Sequence, residues 1–178
     1  LRTTNPKALE GALVELEQMA TSASPSQRDR LAILRAHHLV LTGHTAGAIP
    51  VLLRLSGSES PAPIRYEAGG LLANTYAITR QFEDALRTLE QILPLQGSVE
   101  DSEVRYNGLL VAGVVYNQVG EFQIGKQYAE QVLTDSPDAR SLCASSNLVL
   151  EAKLGLRMPI SRAEAFGAID NCDRAAEP

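Results

Sequence analysis

Apolar residues between Arg65 and Pro94 recur at spacings of three and four, which places them on one side of each of two consecutive helices. Leu72 and Tyr76 belong to the first predicted helix, and Leu89 belongs to the second. The sequence predicts a turn between them at residues 79–81. Because a single pair of helices leaves the backs of both apolar stripes in water, this pattern predicts similar pairs on either side.

The same arrangement recurs along the chain. An arginine marks the start of each predicted first helix, a turn follows about 15 residues later, and a second apolar set begins about 20 residues after the arginine. The arginines are 37, 40 and 35 residues apart, and a period in this range is typical of helical solenoids. The markers are Arg28, Arg65, Arg105 and Arg140, the turn glycines are Gly43, Gly120 and Gly155, and the last apolar set is Ala165, Phe166, Ile169 and Cys172.

These residues resemble the tetratricopeptide repeat (TPR) family, whose pattern runs from a small residue through an aromatic, a turn glycine, a second aromatic and an alanine to a closing proline. The third unit matches it with Gly113, Tyr116, Gly120, Phe122, Gly125 and Pro137, and the second with Ala73, Tyr76, Arg80, Phe82 and Ala85. The resemblance extends from Arg28 to Cys172. The first and fourth units lack both aromatics, and the periods of 37 and 40 residues exceed the family's length of about 34.

We therefore expect an all-α fold of about nine helices, and the resemblance implies a TPR-like right-handed α-solenoid of antiparallel helix hairpins. Residues 1–178 are expected to form a single solenoid that is a fragment of a longer protein, because the chain begins at Leu1 and not at Met. A first helix over residues 5–20, started by Asn5 and Pro6, is either a capping helix or the remainder of a truncated unit. Four units follow at residues 28–60, 65–97, 105–137 and 140–174.

Composition narrows the possible functions. The net charge is −5 and no long basic run occurs, so we expect no nucleic acid partner. No apolar run approaches the ~18 residues of a membrane span, so we expect this part of the chain not to contact a membrane. The three histidines lie within one unit, at His37, His38 and His44, and the short phosphate-binding, zinc-protease and redox motifs are missing from the sequence. We expect a non-catalytic module without cofactor or metal.

The two cysteines lie at matching distances from the last inter-helix loop. Cys143 precedes Met158 by 15 residues and Cys172 follows it by 14, so the two positions come level if the helices are antiparallel. Either they form a disulfide, which requires a Cα separation of about 4.4–6.8 Å, or they are two reduced, buried side chains. A disulfide would indicate an oxidising compartment such as a bacterial periplasm.

In the TPR family, positions two, five, nine and twelve after the marker line the inner surface, and this implies a candidate groove. The polar groups at these positions suit a protein or peptide ligand, or a small-molecule signal, because asparagine amides can both donate and accept hydrogen bonds. Asn74 is the one match to the family's carboxylate clamp for chaperone tails, so we do not expect that ligand. The candidate groove residues are Arg30, His37, Glu67, Asn74, Asn107 and Asn117.

A narrower resemblance concerns the segments ALVELEQ, LLANTYA and YNQVGEF and the late SLC and AIDNC. They are similar to the extracytoplasmic TPR sensor domains of bacterial GGDEF diguanylate cyclases. The resemblance implies a periplasmic sensor, attached to an inner-membrane protein, that regulates cyclic di-GMP synthesis. The alternative is a cytoplasmic TPR scaffold that docks a secretion or assembly factor, and it predicts free thiols. We also expect a possible homodimer through the ends of the solenoid.

Overall fold

The chain is almost entirely helical in the computed structural model, which describes residues 6–19, 22–135 and 138–176. Within these ranges there are nine α-helices and no β-strand, so the prediction of an all-α protein with about nine helices is confirmed. Asn5 and Pro137, which the sequence analysis used as a helix cap and a closing proline, lie outside the described residues. The helices are α1 (Pro6–Met19), α2 (Pro25–Leu41), α3 (Thr45–Ser56), α4 (Ala62–Ile78), α5 (Phe82–Ile92), α6 (Ser102–Gln118), α7 (Phe122–Thr134), α8 (Ala139–Gly155) and α9 (Arg162–Ala176), with a short 3₁₀ helix at Leu93–Ser98.

Four turns share one backbone geometry. In each, a single residue has positive φ, and the N–H of the next residue donates to the carbonyl oxygen five residues before it, at 2.8–2.9 Å. Glycine adopts positive φ without steric strain, whereas in other residues the Cβ atom makes this conformation less favourable. The four residues are Gly43 (φ 81°), Arg80 (φ 60°), Gly120 (φ 87°) and Arg157 (φ 55°).

The fourth turn corrects the sequence analysis. Gly155 is the last residue of α8 and not the turn residue, since Arg157 holds the positive φ. Gly155 is needed for another reason: a Cβ atom at this position would clash with the ring of Phe122. The glycine therefore lets the start of α7 approach the end of α8 closely.

Each helix packs against the next one along the chain, and α2, α4, α6 and α8 also pack against one another in succession. Caps define several helix starts. Asp101 accepts from the N–H groups of Glu103 and Val104 at the start of α6, at 3.0 and 3.4 Å. Ser161 and Glu164 form a capping box at the start of α9, with bonds of 2.9 and 3.2 Å. None of the described helices has the length and apolar composition required to span a membrane.

The outward face of α9 remains uncovered. Phe166 is 62% exposed and Ile169 is 53% exposed, although both belong to the predicted second-helix apolar set. The corresponding Leu89 of α5 is fully buried. Within the described residues no helix follows α9 to cover this face, and a homodimer formed through it stays a prediction.

Candidate functional site

A cavity of about 560 Å³ lies between α2, α4 and α6. Each of these helices contributes the residues two, five and nine positions after its marker arginine. Spacings of three and four place such residues on one helix face, so three successive helices present matching rows to the same space. The nine residues are Arg30, Ile33 and His37 from α2, Glu67, Gly70 and Asn74 from α4, and Asn107, Leu110 and Val114 from α6.

Asn117 does not line this cavity, in contrast to the sequence expectation. It is only 3% exposed, because α8 covers the last turns of α6. Its amide Nδ2 donates to the carbonyl oxygen of Leu148 at 3.1 Å and to Glu151 at 3.2 Å. A Cβ atom at Gly125 would clash with the Asn117 side chain, which explains why glycine replaces the alanine of the family pattern. Asn117 therefore has a structural role between α6 and α8.

Two acidic groups in the cavity were not expected from the sequence. Asp101 and Glu103 line it from the start of α6, outside the helix positions that the family pattern assigns to the groove. The segment that brings Asp101 into place includes the 3₁₀ helix at Leu93–Ser98, which follows α5 directly. Asp101 also caps the N-terminus of α6, a position that favours an acidic residue.

Arg30 and Glu67 form a loose ion pair in the lining of the cavity. The Arg30 Nε and Glu67 Oε2 atoms are 4.0 Å apart, with 58% and 26% of the respective side chains exposed. Burial raises the pKa of Glu67, the charge of Arg30 opposes that increase, and the charge of Asp101 adds to it. The carboxylate is thus only partly compensated by its neighbours.

His37 contributes an imidazole that is half-buried in the same cavity. Burial lowers the pKa of His37 below its ordinary value, because a low-dielectric environment disfavours the charged ring. The side chain is therefore mainly neutral at pH 7 and offers one donor and one acceptor. His44, in contrast, lies at the turn after α2, where its Nδ1 is 3.1 Å from the hydroxyl oxygen of Thr42.

A second cavity, of about 390 Å³, continues along the same side of the molecule. It shares Glu103, Asn107 and Leu110 with the first cavity and is closed by α8 and the end of α9. Its lining also includes Arg140 and Arg174. The two cavities together form a groove that runs across α2, α4, α6 and α8 and that we call the inner groove.

The structure joins Cys143 of α8 and Cys172 of α9 in a disulfide, with a Cα separation of 4.5 Å. Asn147 Nδ2 lies 3.5 Å from the sulfur of Cys172, and Asn171 Nδ2 donates to the hydroxyl of Ser146 at 2.8 Å. These contacts hold the last turns of α9 against α8. They also fix one wall of the second cavity, since Arg174 and Ala175 lie just beyond Cys172.

Within the part of the chain that the structure describes, no group of three or more His, Cys, Asp or Glu side chains is arranged to hold a metal ion. The groups gathered in the inner groove are amides, carboxylates, a guanidinium and an imidazole above apolar side chains. Such a surface is suited to binding. In comparisons with known proteins, the chain matches no protein-family model, no curated protein and no solved structure.

Proposed function

We propose that this chain is a non-catalytic binding module, a TPR-like right-handed solenoid of antiparallel helix hairpins, and that its inner groove binds a peptide segment of a protein partner. The observation that carries the proposal is the set of nine residues from α2, α4 and α6 that line one cavity of about 560 Å³. The repeated turn geometry after α2, α4, α6 and α8 supports the repeat architecture. A volume of this size is within the range of ligand sites in proteins.

Selection from a random peptide display library on the immobilised protein tests the groove. Asn107 is exposed and lines both cavities, so Asn107→Trp should fill the groove and abolish retention of the selected peptides. Gln127→Trp is the matched control, because Gln127 is exposed on α7 and lines neither cavity. Circular dichroism verifies that both variants are folded. Equal retention by wild type and Asn107→Trp would place binding elsewhere.

We further propose that the module is the periplasmic sensor domain of a membrane-bound diguanylate cyclase, which regulates cyclic di-GMP synthesis in response to the bound ligand. Support comes from the Cys143–Cys172 disulfide, because such bonds persist in oxidising compartments. Intact mass after alkylation of the unfolded, unreduced protein should show two unreacted cysteines. Two alkylated cysteines would instead favour a cytoplasmic scaffold that docks a protein partner. The gene sequence downstream should encode a membrane helix and a GGDEF domain.

A further inference from the structure

The cavity between α2, α4 and α6 carries an excess of negative charge. Among the lining residues that the structure describes, Glu67 and Asp101 contribute carboxylates and Arg30 contributes a guanidinium, while Glu103 has an interaction of its own. His37 adds no full positive charge at pH 7, since burial lowers its pKa. The carboxylates of Glu67 and Asp101 outnumber the single guanidinium of Arg30, so the cavity favours a ligand with a positively charged group.

Glu67 is the carboxylate that would gain most from such a ligand. Its side chain is 26% exposed and its 4.0 Å contact is with an Arg30 side chain that is 58% exposed. Ion pairs of this kind are weakened by water and contribute little. Burial raises the pKa of Glu67, and Asp101 raises it further. A cation placed between Glu67 and Asp101 would therefore relieve both desolvation and repulsion.

The residues around Glu67 indicate the chemical nature of the ligand as well as its charge. Apolar side chains form the cavity wall beside it, and the amides of Asn74 and Asn107 lie in the same lining. Lysine and arginine pack their aliphatic stems on apolar surface while the charged end reaches a polar partner. Asparagine amides can pair with both the N–H and the C=O of a peptide backbone. The apolar residues are Ile33, Leu34, Leu71, Val104, Leu110, Val111 and Val114.

We infer that the part of the inner groove between α2, α4 and α6 recognises a peptide segment with a lysine or arginine flanked by apolar residues. The basic side chain meets Glu67 and Asp101, and the peptide backbone pairs with Asn74 and Asn107. This inference rests on the proposed peptide-binding function and adds the chemistry of the partner. Charge complementarity also makes binding depend on salt concentration, because the groups lie near the surface.

The test compares two variants that each remove one negative charge. Glu67→Gln removes the carboxylate in the cavity, whereas Glu90→Gln removes one that is exposed on α5 and lines neither cavity. Peptides selected on wild type should share a basic residue beside apolar ones. In fluorescence anisotropy, Glu67→Gln should weaken a selected peptide about tenfold, and Glu90→Gln should change the affinity by less than about twofold. Replacing the basic residue of the peptide by glutamine should lower the affinity for wild type by a similar factor. Glu67→Gln should then lower the affinity for this altered peptide only slightly, because the charge pair has already been removed.

These experiments distinguish failure of the basic-peptide inference from failure of the proposed peptide-binding function. Selected peptides without a basic residue, or equal affinity for wild type and Glu67→Gln, would overturn the inference and leave peptide binding intact. Failure to select any peptide whose retention is lost in Asn107→Trp would overturn the proposed function itself.

Discussion

The hydroxyl of Tyr66 on α4 donates a hydrogen bond to the backbone carbonyl oxygen of Arg105 on α6, over 2.9 Å. Tyr66 is fully buried, and its phenol occupies the space that Gly108 leaves open on α6. A Cβ atom at Gly108 would clash with the ring and the hydroxyl. The bond and the glycine together set the distance between two helices that line the inner groove, so binding geometry and stability depend on the same contact.

Tyr66→Phe should lower the free energy of unfolding by about 0.5–1.5 kcal/mol, the usual net contribution of such a hydrogen bond. The ring remains, so the packing between α4 and α6 is retained. Urea unfolding followed by circular dichroism measures the change. A variant as stable as wild type would show that the Tyr66 hydroxyl contributes nothing net to the α4–α6 contact.

The burial of Tyr66 also predicts that the free energy of unfolding depends on pH. Burial raises the pKa of Tyr66 to about 12, whereas the pKa in the unfolded chain is about 10. Because the folded state holds the phenolic proton more tightly, this stabilisation is complete below about pH 10 and is lost as the pH rises through about 12. The difference in unfolding free energy between wild type and Tyr66→Phe should therefore decrease over this interval. A difference independent of pH would mean that Tyr66 ionises as freely as in the unfolded chain.

A third prediction concerns the close approach of α4 to α6 at Gly108. Gly108→Ala should destabilise the protein by about 1–3 kcal/mol, because the added methyl group forces Tyr66 out of its position. Gly167→Ala is the matched helical control, since nothing lies within 4 Å of a Cβ atom there. It should stabilise α9 by about 0.5–1 kcal/mol through helix propensity alone. Urea unfolding of both variants tests this opposite response, and the same sign for both would contradict it.

The parts of the fold that the sequence predicts well are those in which one local pattern decides the outcome. Tyr76 and Leu89 are buried in the predicted pair, α4 and α5, because their spacing alone defines an apolar face. The groove rows, in contrast, were implied by the family resemblance, and helix spacing explains only why the residues of one row share a face of their helix. The resemblance to a repeat family supplied the starting position of each row.

The parts that the sequence did not predict depend on how one unit contacts the next. Asn117 carries the right spacing for the groove, but α8 covers it, and no pattern within α6 reveals that contact. Asp101 enters the cavity because of the path after the 3₁₀ helix at Leu93–Ser98. The turn at Arg157 was missed because Gly155 was assigned to the turn by residue type alone. The glycine at position 155 is instead required by the close packing against Phe122.

Corresponding positions in α5 and α9 should respond differently to truncation. Leu89 is fully buried and Ile169 is 53% exposed, although the predicted repeat assigns the two residues the same position. Leu89→Ala should cost about 2–5 kcal/mol, since it leaves a cavity in the core. Ile169→Ala should cost less than about 1 kcal/mol. Urea unfolding at low protein concentration measures the free energy of unfolding of both variants. A large decrease for Ile169→Ala would show that another surface covers α9.

The disulfide between Cys143 and Cys172 provides the last prediction. The two residues are 29 apart in sequence, and a loop of this length corresponds to about 3–4 kcal/mol of stabilisation in the chain-entropy description. Reduction with dithiothreitol should therefore lower the urea midpoint of wild type. The double variant Cys143→Ser/Cys172→Ser is the control, because it should unfold like the reduced protein and be insensitive to the reductant.

A wild-type protein insensitive to dithiothreitol would contradict a stabilising bond. The loss of stability on reduction should also be localised within the chain. Because the bond, together with the Asn171–Ser146 contact at 2.8 Å, holds the last turns of α9 against α8, hydrogen exchange in the reduced protein should accelerate first in α9. The α4–α5 pair, which contains no cysteine, should keep its protection. Uniform acceleration along the chain would mean that the disulfide stabilises the whole domain as one cooperative unit.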